Sequence, residues 1–339
     1  MKALRLHAVG DLRLHDEAEP FQVAGESPVR VTAVGLCGSD RHWFADGGIG
    51  DAILTRPLVL GHEIVGVVAD GPRRGERVAL DPADPCRRCD VCLRGLGHLC
   101  PTLRFAGHGR ADGGLRTLMS WPTHLLHRLP DTIGDPEAAL LEPLGIAIHA
   151  LDLGAVRAGM SAGVYGCGPI GLLLVRLLRA AGCGPIVATD PLPHRVEAAR
   201  ASGATHALTA LDPAAPDRVE VDVAFEVAGE DAALADAVAD VRPAGRVVLV
   251  GIPSDDSTSF PASAARRKGL TLLLCRRMSA PDLPRAIRLV DSGRVDLSGL
   301  VSERHPLPDA HLAFEALVER RGLKSVVEPQ SESVRPLRP

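Results

Sequence analysis

The sequence predicts an α/β protein of two domains, one a doubly wound parallel sheet and the other mainly β. Three observations predict it. Residues 1–145 carry short β-like runs punctuated by Gly and Pro, such as 29–34 and 64–69. From about residue 146, strand-like and helix-like segments alternate, as a parallel sheet with right-handed crossovers requires. A chain of 339 residues also exceeds what one compact core usually serves.

The elements follow in order. Residues 161–165 read as a short buried strand, 166–171 as a glycine turn, 172–181 as an apolar helix and 185–189 as a second strand. Then come helix 194–202, strand 221–225, helix 232–241 and strand 246–250. After 270–274 the chain reads as helix, loop and strand, and it ends in a polar, Pro-rich tail (328–339) expected to be disordered. Residues 146–275 are therefore assigned to the parallel-sheet domain, and 1–145 with 276–339 to the other.

Hydrophobic residues make up 46% and charged residues 24%, the balance of a water-soluble globular chain. Aromatics are only 3%, so the core must be built from Ala, Val and Leu. The formal net charge is −4 and is spread along the chain, which argues against a nucleic-acid or membrane partner. The local run Arg73, Arg74, Arg77, Arg87, Arg88 and Arg94 reads as a solvated face. Residues 1–14 show no signal-peptide pattern, and Arg176 and Arg179 break the longest apolar run. A cytoplasmic protein is expected. Its thiols would be reduced, so clustered cysteines point to metal rather than disulfides.

Gly166-Cys167-Gly168-Pro169-Ile170-Gly171 has the G-x-G-x-x-G form, and Asp190 lies 19 residues beyond it at the end of the next strand. A glycine turn between strand and helix with an acid at that distance is the dinucleotide fingerprint. Gly166 makes the tight turn, Gly168 lets a pyrophosphate approach the backbone, and Gly171 lets helix pack on strand. The pyrophosphate would sit at the helix N-terminus. Asp190 can accept from a ribose diol and repels a 2′-phosphate, which favours NAD over NADP; Arg195, a phosphate-binding residue type, is the counter-signal.

Cys86, Cys89, Cys92 and Cys100 are spaced C-x2-C-x2-C-x7-C. Four cysteines within 15 residues suggest a tetrahedral thiolate zinc site with no open position, hence a structural one. A zinc ribbon that binds nucleic acid would use two separated C-x2-C knuckles, which the sequence lacks. Gly61-His62-Glu63 and Cys37-Gly38-Ser39-Asp40 each follow an apolar run. Taken singly, such residues are usually structural.

Together these segments resemble the zinc-dependent medium-chain dehydrogenases, and within them the sorbitol (polyol) branch. The resemblance covers roughly residues 1–328 and rests on Gly35-Leu36-Cys37-Gly38-Ser39-Asp40-Arg41-His42, Gly48-Ile49-Gly50, Leu60-Gly61-His62-Glu63, the 86–100 lobe, Glu142-Pro143-Leu144, the glycine turn and the stretch 190–195. It implies a Rossmann domain and a mainly β, GroES-like catalytic domain. It implies that Cys37, His62, Glu63 and Glu142 lie at a catalytic zinc, with Glu63, Glu142 or water completing the sphere. Ser39 and His42 resemble the family's proton relay, a task that suits histidine. Trp43, Phe105 and Arg276 match positions that line the substrate pocket. Ile170, Val227, Gly251, Ile252 and Cys275 match cofactor contacts. The position of Trp43 is often Tyr in the polyol branch, and Arg277 replaces its usual Tyr.

The implied activity is hydride transfer from a secondary alcohol of a polyol or sugar-like substrate to NAD, with two zinc ions per chain. Cyclitol, amino-alcohol, sugar-acid and sugar-phosphate substrates are the alternatives. A zinc-bearing regulatory module and the zinc-free reductases of the same superfamily are competing classes; neither needs Cys37, His62 and Glu63. The expected partner is a small-molecule alcohol, in a homo-oligomer of two or four chains.

Overall fold

The computed structural model describes residues 1–21, 23–109, 111–211, 219–253 and 257–331. Most of the expected tail, 332–339, therefore lies outside the described residues. The chain forms two compact units. One takes Met1–Glu142 and the chain from Leu297 onward; the other is Pro143–Asp296. Residues 276–296, assigned from sequence to the first domain, thus lie in the second unit, because the helix Asp282–Asp291 falls inside it.

In the first unit, β1 (Lys2–Ala8) pairs with β2 (Asp11–Asp16). Strand β3 (Glu26–Gly35) leads into α1 (Gly38–Asp46), followed by β4 (Leu58–Val59), β5 (Glu63–Val68), β6 (Arg77–Leu80), β7 (Ala83–Asp84) and β8 (Arg104–Phe105). Strands β9 (Leu118–Pro122) and β10 (Leu126–Arg128) complete its N-terminal part. In the second unit, α2 (Leu141–Leu153) is followed by β11 (Ala162–Tyr165), α3 (Pro169–Ala180), β12 (Ile186–Thr189), α4 (Pro193–Ser202), β13 (His206–Leu208) and β14 (Val221–Glu226). Then come α5 (Asp231–Asp240), β15 (Val241–Leu249), α6 (Ala262–Lys268), β16 (Thr271–Leu274) and α7 (Asp282–Asp291). The chain returns to the first unit with β17 (Val301–Pro306), α8 (Ala310–Val318) and β18 (Lys324–Glu328).

The main sheet of the first unit has the order β10-β6-β5-β3-β18-β17, with β9 also pairing with β3. Its core gathers alternate residues of these strands with Trp43, Trp121 and Phe314. Helix α8 was not read from the sequence as a separate element; Ala310, Ala313, Phe314 and Ala316 bury one of its faces at helical spacing.

The second unit is a six-stranded parallel sheet ordered β13-β12-β11-β14-β15-β16. That order reverses direction next to β11, which is the doubly wound arrangement. Every residue of β11 and β12 is buried, as strands covered by helices on both faces should be. Their small and branched residues (Ala162, Gly163, Val164; Ile186, Val187, Ala188) meet the expectation that an aromatic-poor chain builds its core from short side chains.

Candidate functional site

The first cluster forms where three loops meet. Strand β3 ends at Gly35, and Cys37 then caps α1 with its N–H donated to Asp40 Oδ2 at 2.9 Å. The other oxygen of Asp40 accepts from Gly61 N at 3.1 Å and lies 3.7 Å from His62 Nδ1. One fully buried carboxylate thereby ties the start of α1 to the loop that carries His62. The ligand atoms of Cys37, His62 and Glu63 all lie within 4.8 Å of one another. Gly35 makes room for this: a Cβ there would sit 2.0 Å from Glu63 Oε2. Glu63 forms a buried ion pair with Lys324 of β18.

The electrostatics suit a cation. Burial pushes the Glu142 carboxyl up to about 7, with the Glu63 charge adding to the rise. For His62 burial opposes the charged form, yet the negative groups Asp40, Cys37 and Glu142 outweigh it and hold the imidazole well above its usual value. A thiolate, an imidazole and a carboxylate within such reach form a zinc-type donor set, and the acid-rich surroundings are those a divalent ion would balance.

Around the cluster, Ser39 Oγ stands 3.5 Å from His62 Nε2. His42, three residues on along α1, shares a helical face with Ser39 and bonds through Nδ1 to Asp46 Oδ2 at 2.8 Å. The Phe105 ring tilts against His62 at 5.5 Å, and His108 stands edge-on to both Phe105 and Trp43. Trp43 itself is 1% exposed and packed in the core. Arg276 is exposed and belongs to the second unit.

The second cluster is the four-cysteine lobe. The ligand atoms of Cys86, Cys89, Cys92 and Cys100 lie within 4.8 Å of one another, and all four thiols are free. Cys86 and Cys92 sulfurs are 3.9 Å apart, and those of Cys89 and Cys100 are 4.0 Å apart. A tetrahedron with zinc–sulfur bonds of about 2.3 Å has edges of about 3.8 Å, so the lobe has the dimensions of the ion. Backbone N–H groups of Arg88 and Cys89 pull Cys86 down to about 6, while burial pushes Cys92 up to about 12. Four thiols this close cannot all shed protons without a cation.

In the second unit the glycine turn joins β11 to α3. Gly166 has φ +107°, a left-handed conformation in which a Cβ would also lie 2.8 Å from Ala228 N. At Gly171 a Cβ would lie 2.0 Å from Gly166 O, so the helix closes on the strand only with glycine there. Gly168 is the N-cap of α3, with Pro169 as first helical residue and Ile170 half-buried in the first turn. Asp190, just past β12, accepts from Cys167 N at 2.9 Å and Leu192 N at 3.0 Å. Among the described residues, these two N–H groups use half of the about four acceptor positions of a carboxylate. Arg195 Nη1 lies 3.7 Å from Asp190 Oδ2 and would be 3.9 Å from a Cβ on Gly168. Val227, Gly251, Ile252 and Cys275 follow the carboxyl ends of β14, β15 and β16, on the side of a doubly wound sheet where dinucleotides bind.

Sequence reasoning gave no role to four residues that organise these sites: Asp40, Lys324, His108 and Glu226. Glu226 accepts from Ala228 N at 2.7 Å and Gly229 N at 2.6 Å, bracing the loop after β14. The available signal was a charge inside an apolar run, as in Lys324-Ser325-Val326-Val327 and Phe225-Glu226-Val227. Such a charge must find a partner when buried. The Arg-rich run is also more than a solvated face: Arg73 and Arg77 donate to the backbone carbonyls of Thr123, Leu126, Pro130 and Ile133.

Both parts of the chain match known domain families. Residues 23–131 match the alcohol dehydrogenase GroES-like domain, and 169–292 match the zinc-binding dehydrogenase domain. The chain is 33% identical to sorbitol dehydrogenase of Bacillus subtilis over 97% of both chains. An alcohol dehydrogenase of Escherichia coli CFT073 in complex with NADH superposes with a TM-score of 0.89 at 27% identity, covering 97% of this chain and 99% of that one. A zinc-binding dehydrogenase of Sinorhizobium meliloti 1021 bound to NADP superposes at 0.86 with 28% identity and coverages of 97% and 99%. The chain belongs to the zinc-dependent medium-chain alcohol dehydrogenase family.

Proposed function

We propose that the enzyme oxidises a secondary alcohol of a polyol or sugar-like substrate with NAD, using a catalytic zinc at Cys37, His62 and Glu63 and a structural zinc at the four-cysteine lobe. The observation that carries this reading is the convergence of the Cys37, His62 and Glu63 ligand atoms within 4.8 Å. Glu142, buried close enough to act on His62, is a fourth member of the site. Zinc bound there supplies Lewis acidity that lowers the pKa of the substrate alcohol, and NAD is the hydride acceptor. Asp40 fixes the imidazole of His62 through its contact at Nδ1, and Lys324 sets the Glu63 carboxylate by pairing with it. Ser39 and His42, on one face of α1, take the alcohol proton outward, with Asp46 orienting His42. Phe105 forms an apolar wall beside His62, while Trp43 backs His108.

For the cofactor, Gly166, Gly168, Pro169 and Gly171 shape the pyrophosphate turn, and Ile170, Val227, Gly251, Ile252 and Cys275 form the walls. Asp190 selects the free ribose diol, because its open acceptor positions attract hydroxyls and its charge repels a 2′-phosphate. The polyol assignment is supported by the similarity to sorbitol dehydrogenase. The same pocket chemistry extends to cyclitols, amino alcohols, sugar acids and sugar phosphates. No helix among the described residues is long and apolar enough to cross a membrane, and eight free thiols accord with a reducing cytoplasm. Leu274, 80% exposed on the edge strand β16, supports a homo-oligomer.

The test is a rate comparison of 2-propanol, a linear polyol, a cyclitol and a sugar phosphate at equal concentration, followed by absorbance of the reduced cofactor. The polyol should win by a wide margin, since a site built to pair hydroxyls rejects analogues lacking them. Equal or faster oxidation of 2-propanol would contradict the substrate class.

A further inference from the structure

A cavity of about 420 Å³ in the first unit is lined by Thr102, Arg104, Phe105, Asp112, Arg116 and Ser120 among others, and it shares Phe105 with the wall beside His62. Its chemistry is set by Arg116. This residue is 9% exposed, and its Nε has no hydrogen-bond partner among the described residues. Its guanidinium makes one long contact among the described residues, from an Nη to the Asp112 carbonyl at 3.5 Å. A guanidinium keeps its proton in proteins, and an unpaired buried charge is costly.

The neighbouring carboxylates are committed elsewhere. Arg5 holds both oxygens of Asp112 and both of Glu17, and Val59 N adds a bond to Asp112 Oδ1 at 3.2 Å. Arg104 bonds Glu26 at 2.6 Å and Asp84 at 3.2 Å while lying over the Trp121 ring. The carboxylates of Asp112, Glu17 and Glu26 act on Arg116 through space. Among the described residues, Arg116 is the arginine of this wall with no carboxylate hydrogen bond, and it lines the cavity together with Phe105 and Ser120.

We propose that this cavity binds a small oxyanion, a carboxylate or a phosphate, anchored on the Arg116 guanidinium. A planar guanidinium matches the two oxygens of either group, and the Ser120 hydroxyl supplies a further donor. The site goes beyond the proposed reaction, which requires nothing of Arg116, and its test reads binding rather than turnover.

The experiment is calorimetric titration of the zinc-loaded protein with inorganic phosphate and, separately, with gluconate, each against chloride at matched ionic strength. Saturable binding of at least one is expected, and the one that binds tells phosphate from carboxylate. Arg116→Gln should weaken it by about 10-fold or more, the worth of a charge-assisted hydrogen bond. Should that variant fail to fold, Ser120→Asp keeps the test open: a carboxylate on the same wall would pair with Arg116 and abolish binding. No saturable binding of either anion by the wild type overturns the proposal. So does binding that survives in Ser120→Asp or in a folded Arg116→Gln, because the anion would then sit elsewhere, such as at the catalytic zinc.

Discussion

Two glycines three positions apart in the same turn should both weaken cofactor binding when replaced, but only one should also cost stability. At Gly171 an added Cβ would lie 2.0 Å from the Gly166 carbonyl oxygen and 3.0 Å from its carbon, against a practical floor of 3.0 Å. The helix or the turn must therefore retreat by about an ångström, an overpacking cost of about 1–3 kcal/mol. The gain from replacing a helical glycine by alanine is only about 0.5–1 kcal/mol, so Gly171→Ala should lower stability. It should also move the N-terminus of α3 off the pyrophosphate. Losing one charge-assisted hydrogen bond, about 1.5–3 kcal/mol, weakens NAD binding by about 10- to 100-fold. At Gly168 an added Cβ meets only Arg195 Nη1 at 3.9 Å, and the residue sits at an ordinary φ of −67°. Gly168→Ala should leave stability within about 0.5 kcal/mol while its methyl group occupies the pyrophosphate approach and weakens NAD. Thermal denaturation of the apoprotein and NADH fluorescence titration measure the two effects. Wild-type NADH affinity in both variants, or early melting of Gly168→Ala, would refute the reasoning.

Three further outcomes are expected. Cys89→Ser should lose about one zinc per chain by elemental analysis and much of its resistance to heat, because a structural zinc contributes folding free energy directly; unchanged metal content would remove the lobe's assignment. His42→Ala should slow alcohol oxidation most at low pH and recover partly at high pH, where the alcohol loses its proton without a relay; an unchanged pH–rate profile would relegate His42 to packing against Asp46. Asp190→Ala should raise KM for NAD and relax discrimination against NADP. A wild type that already prefers NADP would shift the determinant to Arg195, which lies 3.7 Å from Asp190.

Much of this was legible in the chain because local chemistry carries it. The glycine turn is written in the sequence: only glycine tolerates the +107° φ at Gly166 and the close approach at Gly171. The strands β11 and β12 announce themselves by continuous burial, and the four cysteines sit close enough in sequence for spacing alone to bring their sulfurs together. Illegible were features that depend on partners far apart in the chain. Glu63 meets Lys324 across 261 positions, and no periodicity signals such a pair. Asp40 reads as one more acid in a helix start, yet its two oxygens join Cys37 N and Gly61 N. The return of the chain to the first unit at Leu297 rather than 276 also escaped notice, since the amphipathic helix Asp282–Asp291 looks alike in either domain. Arg116 follows a Gly-Gly-Leu segment that gives no hint of a buried cation.

The central claim is hydride transfer to NAD at a site that depends on Cys37. It is tested most directly with a linear polyol carrying deuterium on its secondary alcohol carbons, incubated with NAD and the zinc-loaded protein, with the reduced cofactor analysed by mass spectrometry. One deuterium per reduced cofactor is predicted for the wild type. Cys37→Ala should form no reduced cofactor while still binding NADH by fluorescence titration. Reduced cofactor without the label, or labelled cofactor formed at the wild-type rate by Cys37→Ala, would contradict the account.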